Sequence, residues 1–167
     1  MAQTNKTHWA LRPTERPALN ETDKNVVNVL GGVLVLMAVL QLVSFNEFKD
    51  GLGAMGLGSP QTWAIIIIAA ELIAAASMFR FRLAYVLRWL GGLLALLVAG
   101  FWFIQSLRAV IGDGAGDTNY FGKFFSGEPG WVSVLASSLL LLWAVYALEA
   151  LNARFSLPEA GNYLRRR

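Results

Sequence analysis

The residue in this chain whose type and setting most demand chemistry is Glu71. It lies in residues 62–79, a stretch that otherwise carries no charge, with Trp63 eight residues before it and Arg80 nine after. In a helix rising ~1.5 Å per residue, eight residues place the carboxyl about 12 Å from the Trp63 end, near the middle of a bilayer. An ionised side chain facing lipid there costs at least ~2.5 kcal/mol. Three arrangements avoid that cost. The carboxyl is protonated and hydrogen-bonded to a neighbour, or it lines a wet cavity. Alternatively it does chemistry, as a proton carrier or as the polar anchor for an amphipathic ligand such as a quinone head group.

The polar residues that could serve Glu71 lie in the other apolar segments. Gln41 has Ser44 one turn above it, and Trp102, Gln105 and Ser106 continue a face begun by Gly91, Ala95 and Ala99. Ser133, Ser137 and Ser138 open the last segment. If these faces converge, they form a polar pocket with Glu71 at its floor and Arg108 at its mouth. The simpler reading is that a neutral Glu71 donates one hydrogen bond to Gln41, a serine or a backbone carbonyl, and so fastens a bundle. A second acid, Glu149, falls near the end of the last segment, level with Arg80, Arg82 and Arg88. An interfacial ion pair with Arg82 or Arg88 is expected there, contributing little.

Other chemistries find no residues. The chain has no cysteine, which excludes thiol–disulfide chemistry, iron–sulfur clusters and cysteine metal sites, and its one histidine, His8, lies outside the apolar segments. Histidine-ligated haem inside a bundle is therefore excluded. Nucleophile triads, phosphate-binding glycine loops and zinc-protease motifs are absent. Asp113 and Asp117 have the spacing of a calcium loop, but Ala115 takes a ligand position and Thr118 the required glycine. No metal site is expected.

These residues need a scaffold. Of the 167 residues, 56% are hydrophobic and the mean hydropathy is +0.50. Four apolar segments, 26–45, 61–79, 86–107 and 131–151, each approach the ~20 residues that cross a hydrocarbon core. They are apolar on all faces, so they read as helices rather than the alternating strands of a barrel. Small residues at four-residue spacing (Gly91, Ala95 and Ala99; Ala70 and Ala74) mark packing seams. The expected fold is an all-α integral membrane protein, a four-transmembrane-helix bundle over 26–151. A tail of 1–25 precedes it and a basic tail of 152–167 follows. No signal peptide is expected, so the first helix stays as an anchor.

The connections add detail. Within 46–60, Phe45, Phe48, Leu52 and Met55 recur at helical spacing among charged residues, which predicts a short amphipathic helix lying in the outer interface. Gly56 and Gly58 end it, Ser59 caps the next helix and Pro60 takes its first position. Residues 20–23 are expected to cap the first helix. The run beginning Gly31-Gly32 resembles that beginning Gly91-Gly92, as a duplicated hairpin would give. Lys6, Arg12, Arg16, Lys24, Arg80, Arg82, Arg88, Arg154, Arg165, Arg166 and Arg167 fall on one side of the bundle, and Lys49, Arg108 and Lys123 on the other. That bias of eleven to three predicts both termini in the cytoplasm (N-in/C-in) of an inner-membrane, multi-pass protein.

The run Phe45-Asn46-Glu47-Phe48, then Leu52 to Gly56, then Ser59-Pro60, then Glu71 within the second segment, resembles the DoxX-like (DoxX/MauE-type) family of small bacterial membrane proteins. The basic turn 80–88 and the glycine-started third helix share that look, and the resemblance covers roughly residues 26–108. It implies a four-helix membrane bundle, with Glu71 as the position carried over. It also implies association with membrane oxidoreductase assemblies or with the maturation of periplasmic redox enzymes. The expected function is an accessory or scaffold subunit that holds a redox or envelope partner at the membrane, with no catalysis and no cofactor of its own. Two alternatives stand beside it: a quinone-interacting oxidoreductase subunit using Glu71, and a small proton-coupled transporter. The lipid bilayer and a protein are the expected partners, not nucleic acid.

Overall fold

A computed structural model describes residues 19–79, 81, 83, 85–112 and 130–152, and all elements among them are helices. They are α1 (Glu21–Val43), α2 (Phe45–Ala54), α3 (Pro60–Met78), α4 (Tyr85–Ile111) and α5 (Trp131–Asn152). All but α2 are long and apolar enough to cross a membrane.

Local chemistry sets the ends. Asn20 caps α1, its side chain accepting a hydrogen bond from the Asp23 N–H at 2.7 Å, and Glu21 and Asp23 put negative charge in the first turn. Both effects favour helix there, so α1 begins five residues before the apolar run. It ends at Val43 rather than at Phe45, where Ser44 leaves helical geometry and Phe45 starts α2. α2 closes in a Schellman turn: Leu57 N–H bonds Leu52 C=O, Gly56 N–H bonds Gly53 C=O, and Gly56 has φ +81°. A side chain at Gly56 would be strained in that conformation. Ser59 does not cap α3 with its hydroxyl. It is left-handed (φ 57°), whereas capping needs extended backbone, and its carbonyl instead accepts from Thr62 and Trp63. α4 runs one turn past the expected 107, with Arg108 at its negative dipole end.

α1, α3, α4 and α5 form a ring in that cyclic order, and α2 lies on α3. The α1–α5 seam is the thinnest of the four. Each ring neighbour is antiparallel. Gly31 near the start of α1 faces Met78 at the end of α3, Gly91 near the start of α4 faces Ser77, and Gly92 faces Leu148 of α5. Gly91 permits the closest approach, because a Cβ there would fall 2.5 Å from the Ser77 Cβ and 3.2 Å from the Ile73 carbonyl oxygen.

The core has two regions. Towards the start of α1, buried alanines (Ala74, Ala75, Ala95, Ala99, Ala144 and Ala147) let backbones approach. Towards α2, the larger Met37, Phe48, Ile67, Ile68 and Trp102 fill the interior. α5 is the least embedded helix: 22% of its apolar window is buried, against 39–50% for the other three.

Candidate functional site

The side chains around Glu71 come from the same faces that make the seams. On α1, Leu34, Met37, Ala38 and Gln41 follow at three- and four-residue steps, so one buried face delivers Gln41 inward. On α4, Ala95, Ala99 and Trp102 do the same. On α3, Glu71 stands between Ile67 and Ala74 on the buried face. All three polar side chains, Gln41, Glu71 and Trp102, are 0% exposed.

They meet at one oxygen. Glu71 Oε1 accepts from Gln41 Nε2 at 3.1 Å and from Trp102 Nε1 at 3.4 Å. The carboxyl accepts through Oε1, so a hydrogen bond donated by the neutral acid, as anticipated, could come only from Oε2. An indole N–H can only donate, so Oε1 must be an acceptor. The second oxygen, Oε2, is buried with no hydrogen-bond partner among the described residues. Three helices are thus tied through one atom.

Phe48 closes the cluster on the α2 side. Its ring centroid lies 6.1 Å from that of Trp102, and it is fully buried, as is Leu52 one turn on. The amphipathic pattern of α2 was legible, but its apolar face turns onto the bundle. Ser44 sits beside it, its hydroxyl donating back to the Leu40 carbonyl at 2.7 Å.

The other expected members lie apart. Gln105 is buried on α4, three residues beyond Trp102, and makes no bond to Glu71. Ser137 is buried but donates to the Ser133 and Val134 carbonyls of its own helix, and Ser138 donates to Val134. Their hydroxyls are spent on α5, whose main contacts are with α4. Arg108 is exposed. Of the expected interfacial partners, Arg88 is drawn into the bundle at 3% exposure while Glu149 is exposed on α5. Arg82 lies outside the described residues, as do Asp113 and Asp117. The ends of α1 and α5 are joined by Trp143 Nε1 donating to the Val26 carbonyl at 3.1 Å and Tyr146 OH donating to Asp23 Oδ1 at 2.6 Å.

Glu71 is fully buried rather than open to a cleft among the described residues. A groove of about 280 Å³ opens between α1 and α5, but Glu71 does not line it. Met37 and Leu140, which line the groove, also belong to the core region around Trp102 and stand between the two. Among the described residues no group of three or more His, Cys, Asp or Glu comes together. Comparisons of the chain with protein-family models, with curated proteins and with solved structures find no match.

Proposed function

We propose that this chain is a four-span inner-membrane protein with both termini in the cytoplasm, and that it serves as an accessory or scaffold subunit. Four apolar helices with large outward side chains, among them Leu36, Ile65, Leu97, Ile104 and Leu135, support the membrane setting. The ends of α1, α3, α4 and α5 alternate around the ring, an arrangement that agrees with the positive-inside reading of the sequence. The DoxX-like resemblance agrees with this reading and rests on the sequence motif alone.

The observation that carries the scaffold reading is the closure of Glu71. A carboxyl that shuttles protons or anchors a ligand needs access, whereas this one is fully buried and bonded to two other helices. Its work in this reading is to fasten α1, α3 and α4, leaving the outer surfaces for a partner.

Two measurements test the reading. The tagged chain, extracted in mild detergent from its own membranes, is expected to retain a stoichiometric membrane or envelope protein. A chain that purifies alone defeats the scaffold role. For orientation, the chain has no cysteine to interfere. Gly116→Cys or Asn46→Cys is expected to react with an impermeant thiol reagent on intact cells, and labelling only after lysis reverses the topology.

A further inference from the structure

The α1–α5 seam differs from the other three. It is joined at the end where α1 starts, by the Trp143–Val26 and Tyr146–Asp23 hydrogen bonds, and it opens further along into the 280 Å³ groove. Val33 and Met37 form one wall, and Ala136, Leu140 and Trp143 most of the other. Val33 is twelve residues into α1, about 18 Å along its axis at ~1.5 Å per residue, which is mid-span.

The lining restricts what can sit there. Its one polar side chain, Ser137, already donates to two carbonyls of its own helix. The Trp143 N–H is engaged with Val26. An occupant therefore finds no free donor, and a group that needs one would be buried unpaired. Size restricts it further. The groove is formed by seven residues, against the roughly 20–30 per side of a stable protein interface, and a helix ~10 Å across does not fit within 280 Å³ over even two turns. A second copy of this chain is too large for it.

We propose that the α1–α5 groove is a binding site for one acyl chain of a membrane phospholipid, seated between Val33 and Met37 on one side and Ala136 and Leu140 on the other. The site rests on the membrane-spanning reading above. The bound chain completes the ring where α5 meets α1 least, and it lies against Met37, whose other side packs into the region holding Trp102. The groove thus links lipid occupancy to the wall of the Glu71 cluster without exposing the carboxyl.

The test uses the full-length protein in nanodiscs of phosphatidylcholine bearing a photoactivatable diazirine at mid-chain, with adducts mapped by mass spectrometry. Adducts on the half-buried groove residues Leu140 and Trp143 are expected to exceed those on the outward-facing Leu36, Leu97 and Ile104 at least fivefold. Ala136→Phe, which fills the groove from an exposed position, is expected to abolish that excess and leave the other three unchanged. Val33→Trp, from the facing helix, is expected to do the same, so a folding defect in one variant does not decide the matter. Uniform labelling of all five positions, or an excess that survives both substitutions, overturns the site. So does labelling of Leu36, Leu97 and Ile104 with none at the groove, the pattern a protein occupant would give. Absence of adducts at every position refutes the membrane-spanning reading itself.

Discussion

Truncating Glu71 should unfasten three helices at once. In Glu71→Ala, Gln41 Nε2 and Trp102 Nε1 lose their shared acceptor in a fully buried site. Hydrogen bonds between helices in membrane bundles average about 0.6 kcal/mol and reach about 1.7, so two of them contribute roughly 1–3 kcal/mol. A void of roughly 50 Å³, at about 24 cal/mol per Å³, adds ~1 kcal/mol. The expected loss is about 2–4 kcal/mol. Glu71→Gln keeps an acceptor oxygen in nearly the same volume and should cost less than ~1 kcal/mol. The assay is unfolding in mixed micelles titrated with a denaturing detergent and followed by circular dichroism. A Glu71→Ala protein within ~1 kcal/mol of wild type would refute the fastening argument. Equal damage from Gln and Ala would show that the charge matters rather than the acceptor oxygen. A double-mutant cycle with Gln41→Leu should return a coupling of about 0.6–1.7 kcal/mol.

Two other contrasts follow from the packing. Gly91→Ala drives a methyl into Ser77 and should cost about 1–3 kcal/mol, whereas Gly32→Ala meets no atom within 4 Å and should be neutral or stabilise by up to ~1 kcal/mol in the same titration. Arg88→Ala removes a long side chain buried to 3% exposure and should cost more than ~2 kcal/mol, while Arg108→Ala, at an exposed helix end, should stay within ~0.5 kcal/mol by thermal unfolding.

What could be read from the sequence follows a physical division. Length, burial depth and the seam-forming small residues are properties of single helices, and the apolar runs and the Gly91, Ala95, Ala99 stripe stated them directly. Gln41 and Trp102 could be grouped with Glu71 because each continues a small-residue face. The cyclic order of the helices is a property of pairs and leaves no mark in one segment. Ser137 and Ser138 therefore looked equivalent to Gln41, although α5 meets α1 least and both hydroxyls return to their own backbone. The same ambiguity affected Phe48. An amphipathic helix has an apolar face whether that face meets lipid or protein, and only α3 and α4 beneath it decide the matter. Depth along a helix does not fix rotation about its axis: Glu149 and Arg88 sit at comparable depth, but Glu149 is exposed and Arg88 is buried.

The Glu71 cluster also has a position in time. Its members, Gln41, Phe48, Glu71 and Trp102, are all encoded in the first 102 residues, and none belongs to α5. A chain emerging from the ribosome amino end first can therefore satisfy its buried carboxyl while the last helix is still being made. α5, which follows the other four helices in sequence, packs on α4 and is latched to α1 by Trp143 and Tyr146. The order of the helices therefore allows the buried carboxyl to be paired before α5 closes the ring.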